Sequence, residues 1–335
     1  MGNCSNLTPE DQQVIGLTGA ITSSISLISC LLVILMMIVY KKYTFTTQRL
    51  ILYLTISVMF DSIAHILQGG SFGIISNHSK YCMAIAFLRQ YFAWSIILSI
   101  DCILMEMALR IICRRESGKG EWLYIPFIFV FPLFFAWIPL LKHDYGDIQG
   151  TCNFLTINPG TCTRNRTGLI LDVVLWWVPL YLTFFVGAIV YLIIICQLNI
   201  SKRRYTAMLE LDKEVIYKRT MNDIGYFKWY PLLYFIINLI PIAAATTSYI
   251  RPNDDLLALN IPSTIIVGLQ GGFIALAAAL DPSTRKRLGW RSFCSAFKEN
   301  VLCRDTAEEY PILEGNFTDS LNLSETHRIM PTYNE

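Results

Sequence analysis

The chain has 335 residues, 54% of them hydrophobic and 16% charged, with a mean hydropathy of +0.46. Soluble domains carry about 25% charged residues, so this balance excludes an ordinary soluble domain and indicates an all-α integral membrane protein. A net charge of +2 is too small to imply nucleic acid as a partner, and residues 1–13, which hold no Lys or Arg, give no sign of a cleaved signal peptide.

Seven apolar segments reach the roughly 20 residues that a bilayer asks of a helix. They are about Ile15–Tyr40, Thr47–Gln68, Cys82–Arg110, Trp122–Leu141, Leu169–Leu198, Tyr226–Tyr249 and Leu256–Leu280. This predicts a seven-helix bundle over residues 15–283, preceded by an extracellular segment at 1–14. Gly69-Gly70 and Pro252-Asn253 are breakers, the first ending the second segment and the other turning the sixth into the seventh. Pro132, Pro139, Pro179, Pro231, Pro241 and Pro262 fall within or beside spans, where neighbouring helices satisfy the carbonyls they free.

The third segment organises the rest. At 1.5 Å per residue, Cys82 to Arg110 covers roughly 42 Å, more than the ~30 Å hydrocarbon core. Arg89, Gln90, Asp101 and Glu106 interrupt it. Ionisable groups at such depths face a bundle interior or a water-filled cavity, so this is the expected central helix.

With the N-terminus placed outside, the inner loops and tail base hold twenty Lys and Arg, and the outer side holds five: Lys80, Lys142, Arg164, Arg166 and Arg251. The third inner loop alone supplies Lys202, Arg203, Arg204, Lys213, Lys218, Arg219 and Lys228. The positive-inside rule then puts the C-terminus in the cytosol, and a plasma-membrane location is expected. Asn3, Asn6, Asn77 and Asn165 open sequons on the outer side and are the glycosylation candidates, whereas those at Asn199, Asn316 and Asn322 lie inside.

Of ten cysteines, Cys4, Cys82, Cys152 and Cys162 fall on the oxidising side. Four cysteines permit three pairings. The favoured bridge is Cys82–Cys152, which would staple the 142–168 loop over the bundle mouth and leave Cys162 for Cys4 or free. Cys162 remains an open alternative as the partner of Cys82.

After the seventh segment, Leu288, Phe293, Phe297 and Val301 recur at helical spacing beside Arg and Lys. That pattern predicts an amphipathic membrane-surface helix over residues 284–303, with Cys294 and Cys303 as palmitoylation candidates or plain thiols. Residues 304–335 are polar and read as a disordered cytoplasmic tail. No long repeat is visible, which argues against repeat-built transporters.

Seven segments, a cysteine opening the third and an amphipathic stretch after the last resemble the G-protein-coupled receptors. The third segment ends MEMALRIICRR without Asp-Arg-Tyr, and the seventh lacks Asn-Pro-x-x-Tyr. It carries Leu269-Gln270-Gly271 instead, similar to the Leu-Gln-Gly of cyclic-AMP-receptor-like receptors and the Gln-Gly of the secretin-like class. The sixth opens Lys228-Trp229-Tyr230-Pro231 and continues to Asn238 and Pro241, which looks like the pattern of the cyclic-AMP-receptor-like group and its fungal nutrient-sensing relatives. The second, LILYLTISVMFDSI, is similar to that group's LYLSLADLLSSI, with Val58 where its aspartate would fall and Asp61 one turn later. The resemblance covers about residues 15–295. It implies a receptor that passes an extracellular small-molecule or peptide ligand's signal to a heterotrimeric G protein.

A receptor performs no bond chemistry, so its candidates are polar groups in the bundle. Towards the outer end these are Arg89, Gln90 and Trp94, His65 and Gln68, and Asp172 with Trp176 one turn on. They would line a pocket in which Arg89 holds an anionic ligand. In the alternative, Arg89 pairs with Asp172 and the tryptophans, Trp177 included, form an interfacial belt. Towards the inner end, Asp61, Asp101, Glu106, Arg110, Asn238 and Gln270 form either a switching network or packing hydrogen bonds. By the resemblance, Asp101 takes roughly the place of a glutamate in the secretin-like inner network. Glu106 and Arg110, four residues apart, suit a local pair. The third inner loop is either a G-protein contact or a solvated face.

Leu256–Leu280 contains no Lys, which excludes a retinal Schiff base. His65 alone of the four histidines is intramembrane, which excludes a His-rich zinc site. No enzyme activity, cofactor or metal is expected. The competing function is a transporter or channel for a small polar solute.

Overall fold

The computed structural model describes residues 8–41, 43, 46–70, 80–112, 122–142, 144–148, 151–157, 163, 165–207, 229–250, 257–280, 294, 296 and 297. Asn3, Asn6, Asn77, Cys4, Cys162, Cys303, Pro252-Asn253, residues 208–228 of the third inner loop and the 304–335 tail lie outside them. Of the proposed surface helix at 284–303, only Cys294, Ala296 and Phe297 are described, all helical, and Cys294 is a half-buried free thiol.

The first helix, α1, runs Pro9–Val39 and begins a turn and a half before the apolar segment. Thr8 caps it: Thr8 Oγ1 accepts from Asp11 N at 3.2 Å, and Thr8 N donates to Asp11 Oδ2 at 3.1 Å. This reciprocal box, with Pro9 supplying a first-turn φ and no unsatisfied N–H, nucleates the helix ahead of its hydrophobic run. Residues 9–14 therefore continue the helix of α1 beyond its apolar run.

α2 runs Thr46–Gly70 and α3 Lys80–Ile111. α2 does end on the Gly69-Gly70 breaker, and Gly69 has a second role. A Cβ there would stand 2.5 Å from Gly16 O and 2.7 Å from Ala20 Cβ, so its absence lets α1 and α2 approach closely. The fourth apolar segment divides into α4, Tyr124–Phe129, and α5, Phe131–Leu141. Pro132 has no N–H to carry the hydrogen-bond ladder across the division.

The stretch after α5, read from sequence as a loop, forms a hairpin. β1, Tyr145–Ile148, pairs antiparallel with β2, Thr151–Phe154, and sets Asp147 opposite Cys152. Next come α6, Arg166–Asp172, a π-helical turn, Val173–Trp177, and α7, Val178–Ala207. In the turn, Val178 N donates to Val173 O. Pro179 explains its position: it cannot donate to Leu175 O and its ring crowds that carbonyl, so the ladder widens just before it. α8 runs Trp229–Ile250, α9 Leu257–Gly268 and α10 Gln270–Leu280.

Among the described residues, five helices are long and apolar enough to cross a membrane, and six if α9 and α10, bent by 48°, form one span. The apolar stretch of α8, Trp229–Ala244, is shorter. The architecture is therefore that of an all-α, multi-pass membrane protein, with five to six spans meeting this criterion where the sequence predicted seven.

The packing agrees with a lipid surround. α1 turns Leu17, Ile21, Ile25, Ile28 and Leu32 outward and buries Thr22, Ser23 and Ser26. A helix on a soluble protein does the reverse. Small hydroxyl residues at helix contacts, with apolar side chains outside, suit a hydrocarbon solvent. α3 is the axis: 67% of its most apolar window is buried, against 28% for α1 and 22% for Arg166–Ile200. It touches α2, α4, α5, α7, α8 and both strands. Two apolar clusters form around it. One gathers Cys82, Ile85, Ala86, Tyr145, Cys152 and Phe154. The other is larger and includes Leu54, Ile96, Ile100, Ile103, Met107, Ile194 and Tyr230. Between them on α3 lie residues 89–93.

Candidate functional site

A cavity of about 210 Å³ opens between those two clusters. On α3 it is lined by Ala86, Arg89, Gln90, Ala93, Ile96 and Ile97, beginning roughly 6 Å along the helix from Cys82. α2 contributes Asp61 and His65, and the π-turn contributes Trp176 and Trp177. α8 adds Tyr234, Ile237, Asn238, Pro241 and Ile242, and α10 adds Gln270.

The hairpin covers the Cys82 end. Cys82 and Cys152 are joined in a disulfide, the favoured pairing from the sequence, and it fastens β2 to the start of α3. Cys152 and Asn153 thereby reach the cavity wall. Tyr145, 1% exposed, seats the other strand, its hydroxyl donating to Ala136 O at 3.1 Å. Asn165, a glycosylation candidate, caps α6 by accepting from Thr167 N at 3.2 Å. Its Nδ2, the atom a glycan would occupy, donates to Asp144 Oδ1 at 3.4 Å.

The seven residues expected at the ligand end separate into two layers. His65, Arg89, Gln90 and Trp176 line the cavity; Gln68, Trp94 and Asp172 stand behind it. Gln68 Oε1 accepts from Arg89 Nη1 at 2.7 Å and so aims the guanidinium. Asp172 Oδ2 accepts from Trp177 Nε1 at 3.1 Å and fixes that indole. Trp94 stacks on Phe135 at 4.3 Å and meets Trp176 edge-on at 6.3 Å. The alternative pairing of Arg89 with Asp172 is not formed. A nearer acceptor on α2 takes the guanidinium, and the indole N–H takes the carboxylate.

The six residues expected in the inner network also divide. Asp61, Asn238 and Gln270 line the same cavity as Arg89, so the structure brings part of the network and part of the pocket together. Asp61 Oδ2 lies 3.7 Å from His65 Nε2. Asn238 Nδ2 donates to Tyr234 O at 2.8 Å. Asp101 lies off the wall, half-buried and within electrostatic reach of Tyr234. Glu106 and Arg110 are elsewhere: Glu106, fully buried, accepts from Arg110 Nε at 2.7 Å and from Tyr124 hydroxyl at 3.0 Å. That satisfied carboxylate ties α3 to α4.

Sequence reasoning missed Asn153, Tyr234 and the way the Leu269-Gln270-Gly271 stretch is used. Gln270 faces the cavity, while Gly271 N donates to Ser26 Oγ of α1 at 2.9 Å. Ser26 Oγ also accepts from Ser62 Oγ of α2 at 2.9 Å, so three helices meet there. A second cavity of about 20 Å³, enough for about one water, shares Tyr234, Ile237, Asn238 and Gln270 with the first.

The arrangement provides a cationic group, a carboxylate, several amides and aromatic walls at mid-helix depth. Convergent polar groups on aromatic and apolar walls are the usual lining of a small-molecule pocket. Neither the family models nor the curated proteins include a match to this chain.

Proposed function

We propose that the chain is a seven-helix receptor of the G-protein-coupled kind, binding an extracellular ligand in the Arg89 cavity and signalling to a heterotrimeric G protein. α8, with 22 residues, serves as the remaining span beside α9–α10. The excess of Lys and Arg in the inner loops supports an outer N-terminus and a cytosolic C-terminus, and the receptor resemblance supports a plasma-membrane location. The receptor motifs quoted above support the cyclic-AMP-receptor-like or secretin-like branch.

The observation that carries this reading is the cavity itself, covered at one end by a disulfide-tethered hairpin and lined by six of its helices. A ligand there touches α2, α3, α7, α8, α9 and α10 at once, and one that prefers a particular helix arrangement shifts the population towards it. The test is a ligand screen against a G-protein-dissociation reporter in cells with and without the full chain. Ligand-dependent dissociation only where the chain is present is the expected result.

The small cavity beyond Tyr234 and Asn238 favours one second reading, a pathway for a small polar solute. Solute flux into liposomes holding the purified chain, without G-protein dissociation in cells, would select it.

A further inference from the structure

The cavity contains unmet hydrogen-bonding demand of both signs. Arg89 Nε and Gln90 Nε2 are buried and have no partner among the described residues. Gln90 is only 7% exposed, so protein or ligand must supply its acceptor. Both atoms are donors and call for an acceptor. Asp61, also 7% exposed, makes the opposite demand. Among the described residues it takes no hydrogen bond: His65 Nε2 stands 3.7 Å away, beyond hydrogen-bond distance, and the Arg89 guanidinium is within electrostatic reach without touching it. A buried carboxylate in that state calls for a donor, best a charged one.

We infer that the cavity takes a small zwitterion of the α-amino-acid type, its carboxylate received by Arg89 and Gln90 and its ammonium by Asp61. A simple anion would satisfy Arg89 but face the Asp61 carboxylate, and a simple amine would satisfy Asp61 but face the guanidinium. Only a molecule carrying both charges meets both ends. The spacing suits this. Arg89 and Asp61 line the same cavity and lie within electrostatic reach of each other, as the neighbouring charges of an α-amino acid require. The volume of about 210 Å³ is that of about seven waters in the liquid, below the usual range for drug-sized pockets. Trp176, Trp177 and Ile97 leave an apolar wall for a side chain. The inference rests on the cavity being the ligand site and does not need the G protein.

The test uses the purified full chain in lipid nanodiscs with radiolabelled L-leucine. Competition is measured against isocaproate, which is leucine without its ammonium, and isoamylamine, which is leucine without its carboxylate. Leucine is expected to bind saturably, with each analogue roughly tenfold weaker or worse because each leaves one buried charge unmet. In Asp61→Asn the difference between leucine and isocaproate collapses; in Arg89→Gln the difference between leucine and isoamylamine does. Wild-type competition in which either analogue matches leucine overturns the inference. So does the lack of saturable binding by leucine, phenylalanine and glutamine alike. Wild-type protein suffices for these outcomes, so a variant that fails to fold hides nothing. Because no G protein is present, failure here leaves the receptor reading to its own reporter assay.

Discussion

Arg89 and Gln68 are joined across α3 and α2 by a 2.7 Å hydrogen bond from Nη1 to Oε1, and this bond orients the one Arg or Lys among the described residues of the cavity wall. Gln68 is buried and does not itself line the cavity, so it acts on a ligand only through the guanidinium. Arg89→Ala should lower ligand potency by roughly tenfold or more at unchanged surface expression, since a charge-assisted contact is worth about 1.5–3 kcal/mol. Gln68→Leu should cost less, because the guanidinium remains but loses its aim. Concentration–response curves at matched surface density check both. Unchanged potency in Arg89→Ala would remove this residue from the ligand site.

Glu106 makes a different kind of contact. It takes one hydrogen bond from Arg110 on its own helix and another from Tyr124 on α4. Glu106→Ala leaves a buried hydroxyl and a partly buried guanidinium without their acceptor. It should lower stability by about 2 kcal/mol, and Tyr124→Phe by about 1 kcal/mol. Thermal denaturation in detergent measures this. Ligand potency in Tyr124→Phe should stay at the wild-type value, because this cluster does not line the cavity.

Asp101 stands on α3 beyond the cavity wall and is half-buried, near Tyr234 of α8. If the chain is a receptor as proposed and Asp101 holds α3 and α8 in the resting arrangement, Asp101→Ala should raise ligand-independent G-protein dissociation about severalfold while the protein still reaches the surface. Loss of surface expression with no change in basal activity per receptor would make Asp101 a packing residue.

The sequence showed the polar residues of the site because hydrocarbon makes each of them costly and therefore conspicuous. Arg89, Gln90, His65 and Trp176 were legible as interruptions or aromatics within apolar runs, and all line the cavity. What it did not show was rotation about the helix axes. Position along a helix sorts residues by depth, and that sorting put Asp61, Asn238 and Gln270 with Asp101 and Glu106. The folded chain turns the first three towards Arg89 instead. Helices surrounded by lipid or by other helices are apolar on every side, so periodicity does not tell which face is inward. The hairpin was hidden for another reason. Two four-residue strands carry too little alternation to stand out, and what seats them is a disulfide and a buried tyrosine.

Gly271 and Ser26 show how closely α10 lies against α1. A Cβ on Gly271 would run into Ser26 Oγ and stand 2.6 Å from Cys30 Sγ and from Ser26 O. Gly271→Ala therefore forces the helices apart, strains the Ser26 bonds to Gly271 and Ser62, and displaces Gln270 beside it. A destabilisation of about 1–3 kcal/mol is expected, as for other overpacked sites. Gly272→Ala is the control, since a Cβ there meets nothing within 4 Å. Equal thermal stability of the two variants would show that the close approach does not matter.

Tyr145 gives the hairpin an alkaline limit. Burial pushes its hydroxyl above the ordinary tyrosine range, while a tyrosine in the unfolded chain ionises near about pH 10. Above that pH the folded chain holds a proton that the unfolded chain has released, so stability falls as pH rises. Below about pH 10 both states are protonated and the contribution is fully present. Tyr145→Phe removes the bond to Ala136 O and should cost about 1 kcal/mol at neutral pH. It should also flatten the alkaline loss, because no proton is left to release at that position. Melting curves of the two proteins from about pH 8 to about pH 11 separate these effects. A constant offset with parallel slopes would assign the alkaline sensitivity to another group; curves that converge with rising pH would assign it to Tyr145.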